Sequence, residues 1–164
     1  MRRLTRLVIP LLVVVLTSCG SPNPFPSDNR IPDDLNIRLE RTQCYGTCPA
    51  YTLTVKADGG VTFVGRKFTK TEGQASGEID QAKIRELIQE FKKANFFAFE
   101  NSYTPRRGSD CATDGPTVTT SLQINGSVKT VHHYTGCAAP RELGDLENRV
   151  DEIVGTERWI GPKR

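Results

Sequence analysis

Nowhere in these 164 residues is there a run of about twenty apolar side chains, the length that crosses a bilayer's hydrocarbon core. The longest run, Leu7 to Leu16, is too short and is broken by Pro10. The chain also lacks a P-loop, a dinucleotide fingerprint and a nucleophile–base motif, so nothing in it supports an enzyme or calls for a cofactor. No Lys/Arg run with interleaved aromatics occurs, and a nucleic-acid partner is therefore not expected. Only two histidines are present, His132 and His133. As neighbours on a strand they point to opposite faces and cannot share an ion there. Zinc-type ligand spacing is missing, and so is any internal repeat.

What is present begins with an address. Arg2, Arg3 and Arg6 precede the short apolar run, which closes on Leu16-Thr17-Ser18-Cys19. A basic start, an apolar stretch and small residues form a secretory signal. The cysteine placed directly after them makes it resemble a bacterial lipoprotein signal, cut before Cys19 once the sulfur carries diacylglycerol. Residues 1–18 are then a signal peptide, and Cys19 is the lipidation site. Two or three acyl chains anchor firmly, since each buried methylene contributes about 0.8 kcal/mol. The expected location is the cell envelope, outside the cytoplasm, with the membrane as partner through the lipid. Gly20, rather than Asp, follows the lipidated residue, which favours the outer membrane if the cell has one.

Removing the signal takes three of the 22 basic residues and no acidic one, leaving 19 Lys+Arg against 19 Asp+Glu. The mature chain is formally neutral. Residues 19–34, rich in proline and small polar residues, read as a solvated, extended tether. Residues 35–164 read as one domain.

Within that domain Ile37 and Leu39 alternate with polar residues, as do Tyr51, Leu53 and Val55, which predicts strands. Asp58-Gly59-Gly60 supplies a turn, Val61 to Val64 returns, and Lys67 to Gly77 reads as a further extended stretch. Asp80 caps a helix carrying Ile84, Leu87, Ile88 and Phe91. Thr117–Ile124 and Val128–Tyr134 form a hairpin around Asn125-Gly126. Pro140 fits the first turn of a final helix with Leu143, Leu146, Val150 and Ile153 on one face, ended by Gly155. Trp159 and Ile160 are expected to fold back on the core. The expected class is α+β, with an antiparallel sheet of about five strands in the order β-β-β-α-β-β-α and two helices on one face.

Beyond Cys19, four cysteines remain, an even number that favours disulfides outside the cytoplasm, in one of three pairings. Cys111 and Cys137 flank the 117–134 hairpin, whose ends must lie side by side. Cys44 and Cys48 sit four apart in a glycine-containing turn. The expected bridges are Cys44–Cys48 and Cys111–Cys137, the second contributing about 3 kcal/mol. A redox or metal-responsive use of Cys44 and Cys48 is the alternative. Against it, thiol oxidoreductases space their cysteines by two residues before a helix, whereas here three intervene and a strand follows. Asp110 and Asp114 lie in a loop where aspartates usually make turn hydrogen bonds.

From Leu39-Glu40-Arg41 onward the chain resembles the bacterial family called domain of unknown function 6438. The likeness is carried by Cys44-Tyr45-Gly46-Thr47-Cys48-Pro49-Ala50-Tyr51, Asp58-Gly59, Val64-Gly65, Thr113-Asp114-Gly115-Pro116, Val131 with His133-Tyr134, and Gly155-Thr156 with Arg158-Trp159. The resemblance implies a secreted or envelope protein and brings no catalytic residue; it singles out His133 over His132. The expected function is a non-catalytic, disulfide-stabilised lipoprotein that presents loops 44–49 and 106–116 to another envelope molecule. The interaction residues expected are Arg41, Tyr45, Arg106, Arg107, Asp110, Asp114 and His133.

Overall fold

Period-two alternation builds the sheet. The computed structural model describes residues 23–161, so the expected signal peptide, residues 1–18, and the expected lipidation site Cys19 lie outside the described residues. In β1 (Asn36–Arg41), Ile37 and Leu39 are buried. They face Val55 and Leu53 of β2 (Ala50–Lys56) on one side, and Leu122 and Thr120 of β6 (Thr117–Ile124) on the other. β3 (Gly60–Lys67) adds Val61 and Phe63 to the same face, and β7 (Ser127–Tyr134) adds Val131 and His133. With β4 (Gly73–Glu78) and β5 (Ser102–Tyr103) at the edges, the order is β4-β3-β2-β1-β6-β7-β5.

The sheet therefore has seven strands rather than about five, and it is mixed, because β5 pairs with β7 in parallel. Both additions are edges: β4 falls on the end of the 67–77 stretch read as extended, and β5 has little sequence signal. No residue of the polar β4, Gly-Gln-Ala-Ser-Gly-Glu, is buried, so no apolar alternation marks it. β5 is only two residues long.

Two long helices and a short one cover the inner face. α1 (Gln81–Lys93) begins at Asp80, whose carboxylate accepts from the Lys83 amide at 2.8 Å, and it buries Ile84, Leu87, Ile88 and Phe91. α2 (Arg141–Val154) has Pro140 at its N-cap, one residue before the helix proper, and closes on Gly155 at φ 72°. Its buried stripe is Leu143, Leu146, Val150, Ile153 and Val154, with Glu147 among them. α3 (Glu157–Ile160) is the form in which Trp159 returns to the core, stacked on Phe63 at 5.1 Å. These side chains and the inner sheet face form one hydrophobic cluster. Each large one contributes about 1.5–3 kcal/mol by leaving water. The chain is a single α+β domain.

The two ends of the sheet differ. One carries the Asp58 turn and the Asn125-Gly126 hairpin, where φ is 48° and 74°. The other gathers loops 42–49, 104–116 and 135–139. Residues 24–34 are not a free tether: they lie along the hairpin end. Phe25 packs edge-on against Phe97 at 5.6 Å, and the Asn125 side-chain amide donates to the Pro24 carbonyl at 2.8 Å. Arg85 Nε donates to the Asn29 carbonyl, and Asp34 accepts from the amides of Asn125 and Gly126 at 2.9 and 2.7 Å. Turn amides left open by the hairpin thus find a carboxylate in the incoming chain, which fixes that chain's path.

Candidate functional site

At the loop end, ladder register sets Tyr51, Arg41, Val118 and His133 in one row across β2, β1, β6 and β7. All four point inward, since they continue the buried face by steps of two. α2 lies over this row and presents Glu147 and Asp151, one turn apart. Arg41 Nε donates to Asp151 Oδ2 at 2.9 Å, and an Arg41 terminal nitrogen donates to the Glu147 carbonyl at 3.0 Å. The Tyr51 hydroxyl donates to Asp151 Oδ1 at 2.7 Å, and the Thr156 hydroxyl donates to the same oxygen at 2.9 Å. His133 Nδ1 lies 3.0 and 3.1 Å from the two Glu147 carboxylate oxygens.

Electrostatics follow from this crowding. Burial pushes the Tyr51 hydroxyl pKa far up, and the Asp151 carboxylate beside it adds to the rise, so the phenol keeps its proton. For Arg41 burial works downward, yet Asp151, Tyr51 and Glu147 outweigh it, and the guanidinium is held charged. Arg41 and Asp151 side chains are only 19% and 17% exposed, so their pairing is shielded from salt far better than a surface bridge. The arrangement does structural chemistry. It locks helix α2 to three strands and thereby fixes the loops that leave those strands.

Above the row the loops are tied to one another. Thr42 and Thr117 exchange two bonds, from the Thr42 amide at 3.0 Å and back to the Thr42 hydroxyl at 2.8 Å. The Tyr45 amide donates to the Asp114 carbonyl at 3.1 Å, joining loop 44–49 to loop 106–116. The Gly115 amide donates to the Tyr134 hydroxyl at 3.0 Å, and the Ala112 amide to the Gly136 carbonyl at 2.7 Å. Disulfides Cys44–Cys48 and Cys111–Cys137 close both loops, with Cα atoms 5.5 and 4.3 Å apart. Gly136 is required by this closeness, since a Cβ there would sit 2.1 Å from the Ala112 carbonyl oxygen.

Of the residues singled out from sequence, Tyr45, Arg106, Arg107, Asp110 and Asp114 are exposed in these loops, and Tyr45 is 89% exposed. Arg41 and His133 are not loop-surface residues: both face α2 and are engaged there. Sequence reasoning missed Glu147, Asp151 and Thr156, and it read Tyr51 only as an inward strand residue. A signal existed, because Glu147 and Asp151 fall four apart within the apolar stripe 143–154, where a purely hydrophobic face would carry none. Among the described residues no group of three or more His, Cys, Asp or Glu is placed to hold a metal ion. Cys48 leads through Pro49 into β2, not into a helix.

The fold and site define a two-layer α+β domain with an internally cross-braced, disulfide-closed loop end. The chain belongs to the family described as Domain of unknown function (DUF6438), whose match spans residues 35–154. No curated protein matches it. Most of the segments that carry the family likeness converge on this end, while Asp58-Gly59 forms a turn at the opposite one. Cys44 to Tyr51, Thr113 to Pro116 and His133-Tyr134 build the loops and the row beneath them, and Gly155-Thr156 caps α2 and binds Asp151.

Proposed function

We propose that this chain is a lipid-anchored envelope protein whose loop end binds another envelope molecule and carries out no chemistry itself. Cys19, with a diacylglyceryl group on its sulfur, is the anchor. The contact surface consists of Tyr45 with Arg106, Arg107, Asp110 and Asp114. One observation carries this reading: two loops distant in sequence are joined through Tyr45 and Asp114 and stapled by separate disulfides, yet Tyr45 is left 89% exposed. Rigid presentation of an aromatic and mixed charges lowers the ordering cost of binding, and an exposed tyrosine is a favoured anchor. Two disulfides also suit an oxidising compartment.

The test places a photocrosslinking amino acid at Tyr45, Arg107 or Val128 in the cell-made protein. Adducts to one protein of defined mass at the first two positions, with no protein adduct at Val128, support the reading. Equal labelling at all three, or none, overturns it. Replacing Cys44 and Cys48 together by Ser separates it from the redox alternative, because a binding surface keeps part of its crosslinking whereas a thiol mechanism loses all activity.

A further inference from the structure

The packing of residues 24–34 gives the molecule a direction with respect to the membrane, and the inference rests on the proposed lipidation of Cys19. Pro24 and Phe25 are fastened to the hairpin end by Asn125 and Phe97, and Asn29 and Asp34 continue the attachment along that end. Four residues lie between Cys19 and Pro24, so their Cα atoms are at most about 18 Å apart when the chain is fully extended. The acylated sulfur is therefore confined close to the Asn125-Gly126 turn. The disulfide loops lie at the far ends of the same strands. β7 alone has eight residues, a length of about 25 Å.

We infer that the hairpin end, with Asn125, Gly126 and the exposed Val128, is the surface that rests on the lipid bilayer, while the disulfide-closed loops face away from it. The occupant is fixed by where the described chain leaves the domain and by how little chain remains before the lipid. Val128, 69% exposed beside the turn, is an apolar side chain suited to the headgroup boundary. A clamped segment, unlike a free tether, carries this orientation to the whole domain.

The test uses the full cell-made protein reconstituted in phosphatidylethanolamine/phosphatidylglycerol vesicles that contain doxyl-labelled lipid. A fluorescent amino acid replaces Val128 in one preparation and Tyr45 in another. Quenching several-fold stronger at Val128 supports the inference; equal quenching, or stronger quenching at Tyr45, overturns it. Combining Asn125→Gly, which keeps the positive-φ turn, with Phe25→Ala should bring the two signals together. An unchanged ratio in that variant shows that the clamp does not set the orientation and also overturns it. The mass of the purified chain reports acylation separately. If no acyl mass is found, the lipoprotein reading fails by itself. The same ratio is then read with a lipid maleimide on Cys19, the other four cysteines being closed in disulfides.

Discussion

Arg41 and Asp151, 110 residues apart, meet as an ion pair of 2.9 Å between the last residue of β1 and the third turn of α2. The contact joins the two layers where the strands give way to loops. Asp151 is the hub, because Tyr51 and Thr156 share its other oxygen.

Removing that hub should be costly. Asp151→Ala leaves the Arg41 guanidinium mostly buried without its carboxylate, and such a loss typically destabilises by about 3–5 kcal/mol. Replacing both partners, Arg41→Met with Asp151→Leu, should cost clearly less. Urea denaturation of the three proteins checks this. An equal loss in the single and double variants would contradict it.

Tyr51 should make the protein sensitive to alkali. Its pKa in the folded state lies above the ordinary 10.0, through burial first and Asp151 second. The protonated phenol is thus favoured by folding. Its contribution is complete below pH 10 and is lost as pH rises through the interval above. Stability should fall with pH beyond that point, and Tyr51→Phe should flatten the fall. Denaturation midpoints measured on both sides of pH 10 decide it.

Thr120 marks an opposite case. It sits in the core between Leu39 and Val131, and its hydroxyl has no hydrogen-bond partner among the described residues. An unpaired buried hydroxyl costs about 1–3 kcal/mol, so the near-isosteric Thr120→Val should stabilise the domain by about 1 kcal/mol. A thermal melt that drops instead would show that the hydroxyl has a use.

Gly77 and Trp159 give an optical test of the edge. A Cβ at residue 77 would lie 2.9 Å from the indole ring, closer than such contacts occur. Gly77→Ala should push Trp159 off Phe63, cost about 1–3 kcal/mol through overpacking, and shift the emission of the protein's single tryptophan to the red.

Much of this architecture is legible where local physics decides it. The Asn125-Gly126 turn, the Asp80 cap and the Gly155 stop each follow from backbone preferences of one or two residues. The apolar stripes of α1 and α2 follow from period alone. What period cannot reveal is an edge strand with nothing buried, such as β4, or a two-residue parallel pairing such as β5. The fate of residues 24–34 was hidden for a related reason. Proline-rich composition speaks for an extended chain but says nothing of the Asn125 and Phe97 groups that capture it. The polar row was half legible: strand alternation turns Tyr51 inward, but only the tertiary approach of α2 gives Arg41 and His133 their acidic partners.

The margins of the sheet carry a last consequence. β4 borders it with glycine, glutamine, serine and a closing glutamate, and β5 covers its opposite border for two residues only. With no buried apolar residue, β4 does not offer the long, flat, greasy template on which a second chain could add itself as another strand. Copies meeting along that border would therefore slide past one another as separate bodies instead of zipping into fibrils.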